Sequence, residues 1–309
     1  MAQTFNPDHV LLSDTLGKEI VDGAFTQEFL SQLVQTSKVV QLGQRIDMTD
    51  KMQRISAGMQ ELTDAYFVGE GEKIGTAKVE GKDFVLEAHK IGVILPVTEE
   101  ALAYTWSNYF NDVLPLIVDK FNKKIDGAAF LGLHGNPFGG NVLEAATGAG
   151  NTVSGDINLD TLLDAEALPL NEPNAVVGHR TLGRALRGVV DPNTGQYVYD
   201  RASNTIDGLP YHELKLANGE TYPAGTLITG DFNGLKYGVP RGTNLRLKVA
   251  DQATLSKVQN NGPDSGDVHL FEQDMQALRA IFEITVAVPQ GENFAVIEAG
   301  EEAEEDPEI

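Results

Sequence analysis

Glycines and lysines are concentrated in the stretch GEGEKIGTAKVEGKD, residues 69–83, where they could form a phosphate-binding loop. A dinucleotide-binding loop requires the spacing G-x-G-x-x-G between a strand and a helix. Here Ile74 stands where the third glycine is needed. A Walker loop requires Gly-Lys-Ser/Thr, but the two Gly-Lys pairs of this chain precede Glu19 and Asp83. Neither nucleotide motif is present.

The residues that follow this stretch predict a strand, whereas a phosphate site would need a helix there. Polar and apolar residues alternate in DFVLEA, residues 83–88, which is the pattern of a half-buried strand. No helix N-terminus is therefore expected there to bind an anion. Because glycine supplies tight turns and charged residues supply solvation, the stretch is interpreted as an exposed hairpin.

Residues for metal or nucleophilic chemistry lack the required spacing. The chain has no cysteine, which excludes disulfides, zinc-thiolate sites and a cysteine nucleophile. The histidines are His9, His89, His134, His179, His212 and His269. None pairs at metal-ligand spacing, and DPNTGQYVYD, residues 191–200, lacks the closing Glu of a calcium loop. The sequence predicts no catalytic residue, no metal site and no cofactor.

Length and charge limit the class of protein. A chain of 309 residues that is 41% hydrophobic can build a core of one to three subdomains. Its net charge of −22 argues against a broad basic face that binds nucleic-acid phosphates. The N-terminus MAQTFNPDHV lacks the features of a signal peptide, and no apolar run approaches the length of a membrane span. We expect no membrane partner and synthesis in the cytoplasm.

The first third of the chain predicts a short helix and then a long β region. Residues 25–40 have apolar residues at helical spacing, whereas residues 41–97 contain alternating, strand-like segments around the glycine-rich stretch. These residues could form little core of their own, so a long two-stranded ribbon is the simplest interpretation. Such a ribbon is marginally stable alone in water and needs a surface to lie against.

Residues 98–132 show the clearest helical pattern. Thr98 is a suitable N-cap, Gly132 can end the helix, and Pro115 should kink or divide it. At 1.5 Å per residue the helix would be about 50 Å long. Its apolar stripe includes Trp106, Phe110, Ile117 and Phe121, which are expected to pack.

Shorter elements follow. Residues 133–158 are rich in Gly and Asn and predict a loop, NLDTLLDAEALP predicts a capped helix, and NAVVGH predicts a buried strand. RTLGRALRGVVD predicts a helix whose arginines form one basic edge, for which salt bridges to neighbours are favoured over nucleic acid. Strands are predicted within residues 205–248 and in ENFAVIEA, and HLFEQDMQALRAIFEITVAVP predicts a helix or extended segment that merges into a long strand. EEAEEDPEI is an acidic tail, expected to be disordered.

The order of these elements resembles the major capsid protein of a tailed bacteriophage with the Hong Kong 97-type fold, an α+β fold. The resemblance spans about residues 5–298. It is carried by FNPD, AYFVGEGEKIGTAKVEGKDFVLEAHKIGVILPVTEEALAYT, LITGDFNGLKYGVPRGTNLRL, LFEQDMQALRAIFEITVAV and ENFAVI, in that order. It is strongest to capsid proteins of siphophages from Gram-positive hosts, in which GDF, LFEQDM and ALRA recur in the same order.

The resemblance implies a division of the chain. The expected regions are an N-terminal arm, residues 1–42; an extended loop, 43–92; a peripheral domain with the long spine helix, 93–155 and 246–288; an axial domain, 156–245 and 289–300; and the tail, 301–309. The glycine-rich stretch would lie in the extended loop, which reaches across a neighbouring subunit. The implied intersubunit contacts are Arg54, Glu70, Glu72, Lys73, Lys78, Lys82 and Asp83.

The resemblance also implies partners. The chain would assemble with itself into hexamers and pentamers of a closed icosahedral head around double-stranded DNA, without sequence-specific binding. A portal protein and, in some heads, a decoration protein are implied. About 97 residues precede the spine helix and are used by the arm and loop, so a separate scaffolding protein is expected. The protein would be found in the virion after assembly in the host bacterial cytoplasm.

Three alternatives remain at this point. Some members of the family join an extended-loop Lys to a peripheral-domain Asn covalently; Asn260 and Asn261 are available, but no pattern selects them, and cross-linking is not expected. An encapsulin-like cargo compartment would have the same fold. A soluble hydrolase or carbohydrate-binding protein could use a carboxylate pair, although no nucleophile or metal motif supports it.

Overall fold

The computed structural model describes residues 36–62, 73, 79–217, 220–240, 246–255 and 268–298. The helices are α1 (Lys38–Leu42), α2 (Glu99–Leu131), α3 (Val142–Gly148), α4 (Leu159–Ala167) and α5 (Gly183–Leu186). The strands are β1 (Gln44–Met48), β2 (Met52–Leu62), β3 (Val79–Glu87), β4 (His89–Thr98), β5 (Thr152–Ser154), β6 (Ala175–His179), β7 (Tyr199–Asp200), β8 (Thr205–Ile206), β9 (Leu209–Leu214), β10 (Leu227–Gly230), β11 (Lys236–Pro240), β12 (Arg246–Ala250), β13 (Thr254–Leu255), β14 (Val268–His269), β15 (Met275–Ala287) and β16 (Phe294–Glu298). Short 3₁₀ turns occur at Arg180–Leu182, Phe232–Gly234 and Gly291–Asn293. This mixture of helices and sheets confirms the predicted α+β class.

The chain divides into two compact units. Among the described residues, the first unit contains His89–Asn122 and Pro240–Ile284, with gaps. The second unit contains Ser37–Ala88, Lys123–Val239 and residues 285–298. Helix α2 and strand β15 each contribute residues to both units.

A seven-stranded sheet forms the centre of the second unit. Its order is β5-β16-β10-β6-β9-β8-β7. The strands β16, β10 and β6 are buried along almost their whole length, because both of their faces are covered. The rings of Phe130, Phe232 and Phe294 pack in series, with centroid separations of 6.0 and 5.3 Å. These large apolar side chains form the main core of the unit.

Helix α4 shows how local sequence sets an element boundary. The Asn158 side chain accepts a hydrogen bond from the Thr161 backbone N–H, and the Thr161 hydroxyl accepts one from the Asn158 N–H. This reciprocal pair is a capping box that satisfies two N–H groups at the helix start. The predicted capped helix is therefore confirmed at Leu159–Ala167.

The predicted loop at residues 133–158 is wrong in part, because α3 and β5 lie within it. The Asn141 side chain accepts a hydrogen bond of 2.8 Å from the Glu144 N–H, which caps α3. Val142 and Ala146, four residues apart, are both buried and hold the helix against its unit. Glycines close to this short helix hid its apolar spacing.

The predicted helix in RTLGRALRGVVD is broken into a 3₁₀ turn and the four-residue α5. Gly183 stands at the junction, and glycine disfavours continuous helix by about 1 kcal/mol relative to alanine. The helix predicted at residues 25–40 lies largely outside the described residues. At the end of this range, Lys38–Leu42 is helical.

In the first unit, β15 lies between β4 and β12 in an antiparallel arrangement. Glu283 of β15 is buried, and its carboxylate is 3.4 Å from Arg246 Nη2 and 3.9 Å from Lys90 Nζ. These cations compensate for the burial of a negative charge.

Helix α2 runs for 33 residues without a break and contains Pro115. Of the two outcomes expected at Pro115, a kink or a division, the division is therefore wrong. The Pro115 side chain is exposed, where the ring is tolerated and neighbouring groups can be solvated. Leu114, Ile117, Val118 and Phe121 are buried at i, i+3, i+4 and i+7 spacing. Gly132 follows the helix with φ +69°, as the left-handed residue that ends many helices.

Candidate assembly surface

The strands β2 and β3 form a separate two-stranded antiparallel ribbon in the second unit. Residues opposite each other on such strands lie on the same face, and the faces alternate along each strand. Leu86 is fully buried, which identifies the inner face at the base of the ribbon. On the other face Met52 is 59% exposed and Val85 is 55% exposed. The predicted ribbon is thus present, and its base has a buried face and an exposed face on which Met52 and Val85 are the apolar residues.

Of the charged residues predicted to make contacts, Arg54, Lys82 and Asp83 lie in the strands of this ribbon. Arg54 is paired with Val85, and Asp83 is paired with Ser56. By this register, the positions of Arg54 and Asp83 belong to the same face of the ribbon as Val85. Lys82 lies in β3, and Lys73 is exposed. Glu70, Glu72 and Lys78 lie outside the described residues, as do Asn260 and Asn261.

A buried carboxylate anchors the segment from which the ribbon departs. Asp126 of α2 accepts hydrogen bonds from the Ser37 hydroxyl at 2.8 Å, the Lys38 N–H at 3.0 Å and the Val39 N–H at 3.1 Å. These donors belong to the start of α1, whose first N–H groups lack partners within the helix. Asp126 therefore holds α1 in place, and α1 leads directly to β1 and the ribbon.

Burial raises the pKa of Asp126 to about 6, although its hydrogen bonds to Lys38 N–H, Ser37 and Val39 N–H oppose the shift. Desolvation outweighs these bonds because water is excluded from the charged form.

Two further contacts fix the base of the ribbon. The Ala88 N–H donates to the Lys51 carbonyl at 2.9 Å, closing the base between the two strands. The Gln44 N–H donates to the Leu235 carbonyl at 2.8 Å. Met48 is fully buried and lies so close to Gly238 that a Cβ there would be 2.6 Å from the Met48 sulfur. The base is thus rigidly attached to its unit.

The predicted spine-helix residues all lie in α2. Ile117 and Phe121 are buried. Trp106 and Phe110 are in the helix, and their side chains lie outside the described part.

Sequence reasoning did not identify Asp126, Met52 or Val85. A signal for Asp126 was present: an acidic residue inside the apolar run IDGAAFL, near a helix C-terminus, is in an unfavourable field unless it has a specific partner.

The described residues bring a few titratable groups together: the His134 ring contacts the Glu220 carboxylate, and Lys124 Nζ lies 3.5 Å from the same carboxylate. No group of three or more His, Cys, Asp or Glu among them could bind a metal. A cavity of about 120 Å³ is lined chiefly by amides and includes Asp231 and Lys236. Burial and, to a smaller extent, the Asp207 charge raise the pKa of Glu166 to about 7, yet no nucleophile or base is hydrogen-bonded to it among those residues. In the described part, no helix is long and apolar enough to cross a membrane.

Comparison with known proteins decides the family. The model of the phage capsid family matches residues 17–299. The major capsid protein of Staphylococcus phage 80alpha is 37% identical over 296 residues, which cover 95% of this chain and 89% of that protein. The chain belongs to the phage capsid family.

Solved structures agree on the fold. A chain from Microbacterium phage Oxtober96 has a TM-score of 0.66 at 22% identity. The alignment covers 85% of this capsid protein and 91% of that chain. One from Mycobacterium phage Adephagia has a TM-score of 0.65 at 23% identity, covering 85% and 90%. A chain in the capsid of an empty GTA particle has a TM-score of 0.61 at 12% identity, covering 86% and 90%.

The Hong Kong 97-type α+β fold is therefore confirmed. This capsid protein is a structural protein of the tailed-phage virion and not an enzyme, and it self-assembles into a shell. The family membership favours a phage capsid over the encapsulin-like and hydrolase alternatives.

Proposed function

We propose that this capsid protein forms hexamers and pentamers of an icosahedral head around double-stranded DNA, and that the ribbon of its extended loop contacts a neighbouring copy. The observation that carries the proposal is the exposure of two apolar side chains, Met52 and Val85, on one face of the ribbon, whose base is anchored by Asp126. A monomer leaves this face in water. Covering half-exposed Met and Val side chains would contribute about 1 kcal/mol each per copy.

The contact is asymmetric, because the ribbon of one copy meets a different surface on the next copy. Such heterologous association generates rings, as hexamers and pentamers require. Arg54, Glu70, Glu72, Lys73, Lys78, Lys82 and Asp83 supply ion pairs at this contact. Each exposed pair contributes only ~0–1 kcal/mol, so the apolar face supplies affinity and the charges select the partner and its orientation.

The proposal includes the division of the chain. Residues 1–42 form the arm, 43–92 the extended loop, 93–155 with 246–288 the peripheral domain, and 156–245 with 289–300 the axial domain. Trp106, Phe110, Ile117 and Phe121 pack the spine helix. The burial of Ile117 and Phe121 supports this role.

The partners in assembly are a separate scaffolding protein, a portal protein and, optionally, a decoration protein, with assembly in the host cytoplasm. The net charge of −22 supports a wall that encloses DNA without binding it tightly. Binding of duplex DNA by purified subunits tests this part of the proposal. Tight binding that weakens steeply with salt would contradict it.

Electron microscopy with a light-scattering mass tests assembly directly. The full chain is expressed alone and together with a candidate scaffolding protein. Closed shells, or rings of five and six copies, are expected. A monomer or dimer at high concentration, unchanged by the scaffolding protein, would contradict the proposal.

A further inference from the structure

A row of exposed arginines follows β6 in the second unit. Arg180 lies in the 3₁₀ turn that follows β6, Arg184 lies in the four-residue α5, and Arg187 follows α5 directly, so the three arginines belong to one short segment. All three are exposed, whereas Leu182, Leu186 and Val189 of the same segment are buried. We call these three residues the arginine ridge. The buried leucines fix its backbone, so the ridge is a preformed surface.

The arginine ridge has no acidic partner among the residues that the structure describes, since no ion pair there includes any of its members. The chain contains 45 acidic residues and 23 lysines and arginines. Three neighbouring cations without a counter-ion repel one another and favour an anionic partner. Arginine is suited to such a partner because its planar guanidinium can donate two parallel hydrogen bonds to a carboxylate.

The sheet brings the end of β16 to the same edge as this ridge. Leu227 of β10 is paired with Gly178 of β6 on one side and with Ile297 of β16 on the other, antiparallel in both cases. The strands β6 and β16 therefore run in the same direction and leave the sheet at one edge. Two strand spacings separate them, which is about 10 Å. The Gly155 N–H donates to the Glu298 carbonyl at 3.0 Å and holds β16 to its last residue.

The chain beyond β16 is short and acidic. Residues 299–309 read AGEEAEEDPEI, in which six of the last nine residues are Asp or Glu. Eleven residues span at most about 37 Å when extended. The arginine ridge is about 11 Å long at helical rise. The acidic residues can therefore reach every member of the ridge in the same chain.

We propose that the acidic segment 301–309 docks on the arginine ridge of its own chain. The charges are complementary, and the chain leaves β16 about 10 Å from the end of β6, after which the ridge begins. Tethering gives it an effective concentration in the millimolar range, so several weak ion pairs suffice for occupancy. Duplex DNA is a less suitable occupant, because three arginines in a chain of charge −22 provide little net attraction to phosphates. The docking does not depend on the arrangement of subunits in a head.

Cleavage of the segment by a Glu-specific protease tests the proposal in the full-length chain, with loss of the segment followed by intact mass. The variant R180Q/R184Q/R187Q removes the charges of the ridge. The matched control R201Q removes an exposed arginine elsewhere in the same unit. A free peptide of residues 299–309 corrects for effects of salt on the protease. All are measured at about 50 mM and 1 M salt, where the Debye length falls from above 10 Å to about 3 Å.

Docking predicts that the wild-type segment is cleaved at least about threefold more slowly than that of the triple variant at low salt, and that 1 M salt abolishes the difference. The control should behave as wild type, and the ratio should not depend on protein concentration. Equal rates for wild type and triple variant at low salt would overturn the proposal. Protection that increases with protein concentration would overturn the same-chain assignment and indicate the segment of a second copy. Duplex DNA that binds the ridge of wild type, without changing cleavage, would also overturn it.

Discussion

The carboxylate of Asp126 accepts a 2.8 Å hydrogen bond from the hydroxyl of Ser37, which lies 89 residues earlier in the chain. Both groups are buried, and the two backbone N–H groups that follow Ser37 donate to the same carboxylate. The start of α1 is thus capped both locally, by the Ser37 hydroxyl that accepts from the Val40 N–H at 3.4 Å, and from a distance, by the Asp126 carboxylate. One side chain of the long helix determines where the ribbon begins.

Replacing Asp126 by Ala should destabilise the protein by about 3 kcal/mol or more, since two buried donors and one partly buried donor would lose their acceptor. The free energy of unfolding is measured by chemical denaturation of unassembled subunits. Asp164→Ala, at an exposed position of α4, is the control and should change stability by less than about 0.5 kcal/mol. Similar losses in the two variants would contradict the anchoring role.

Met52 and Val85 provide a test of the proposed contact between the ribbon and a neighbouring copy. Val85→Asp places a charge on the exposed apolar face and should prevent particle formation while the subunit stays folded, because a buried unpaired charge costs several kcal/mol. Val85→Thr has nearly the same shape and is the matched control; it should assemble, with a critical concentration raised several-fold. Particles are counted by electron microscopy and folding is followed by circular dichroism. Normal assembly of Val85→Asp would contradict the assignment of this face.

Much of the fold follows from local patterns in the sequence. The long helix, the capped α4 and the strands β3, β4 and β16 each combine regular apolar spacing with a recognisable boundary residue. The ribbon was predictable because residues 41–97 alternate without forming a core of their own. Helix α3 was missed because its signal is one cap and two buried residues within a glycine-rich segment.

The site was less predictable than the fold. The contact between Asp126 and Ser37 joins positions far apart in the chain, so no local pattern indicates it. Alternation in β3 favours burial of the face with Phe84, Leu86 and Ala88, but it does not show how exposed Val85 is on the other face. The burial of Leu86 and the exposure of Val85 are seen only in the structure.

Gly230 should tolerate no side chain. Its φ is +152°, and a Cβ would collide with the Asn293 carbonyl oxygen and lie 2.9 Å from Phe294 Cα. Gly230→Ala should therefore cost about 3 kcal/mol, from backbone strain and steric overlap in a central strand pair.

Gly183→Ala is the matched control for this change. A Cβ at Gly183 meets nothing within 4 Å, and the residue lies in helical backbone. Alanine there should be neutral or should stabilise by up to about 1 kcal/mol. Thermal unfolding of both variants gives the comparison, and a larger loss at Gly183 than at Gly230 would show that the fit at β10 is not tight.

Glu166 should make stability depend on pH. Burial and the Asp207 charge raise its folded-state pKa to about 7 from the usual 4.5. The folded protein therefore binds more protons than the unfolded chain between these values, and stability from this group is lost as the pH rises from about 4.5 to 7. Glu166→Gln should be more stable than wild type at pH 8, by less than about 1 kcal/mol because solvent screens the half-buried group.

Melting temperatures at pH 5 and pH 8 measure this effect. The gain of Glu166→Gln over wild type should be larger at pH 8 than at pH 5. Asp164→Asn, at an exposed position of the same helix, should show no such difference. A gain that is the same at both pH values would show that Glu166 does not titrate in this range.

The pairing of β2 with β3 shifts twice, between Ser56 and Met59 and between Met59 and Glu61, and each shift adds a residue on β2. Such bulges increase the local twist and interrupt the row of backbone groups along a strand edge. An uninterrupted edge would be a template for another chain, and fibrous aggregates grow from such edges. Newly made subunits must accumulate at high concentration before a shell closes. The two bulges reduce the chance that ribbons of different subunits pair edge to edge during that time. The irregular pairing of β2 with β3 therefore helps to keep unassembled subunits competent for assembly.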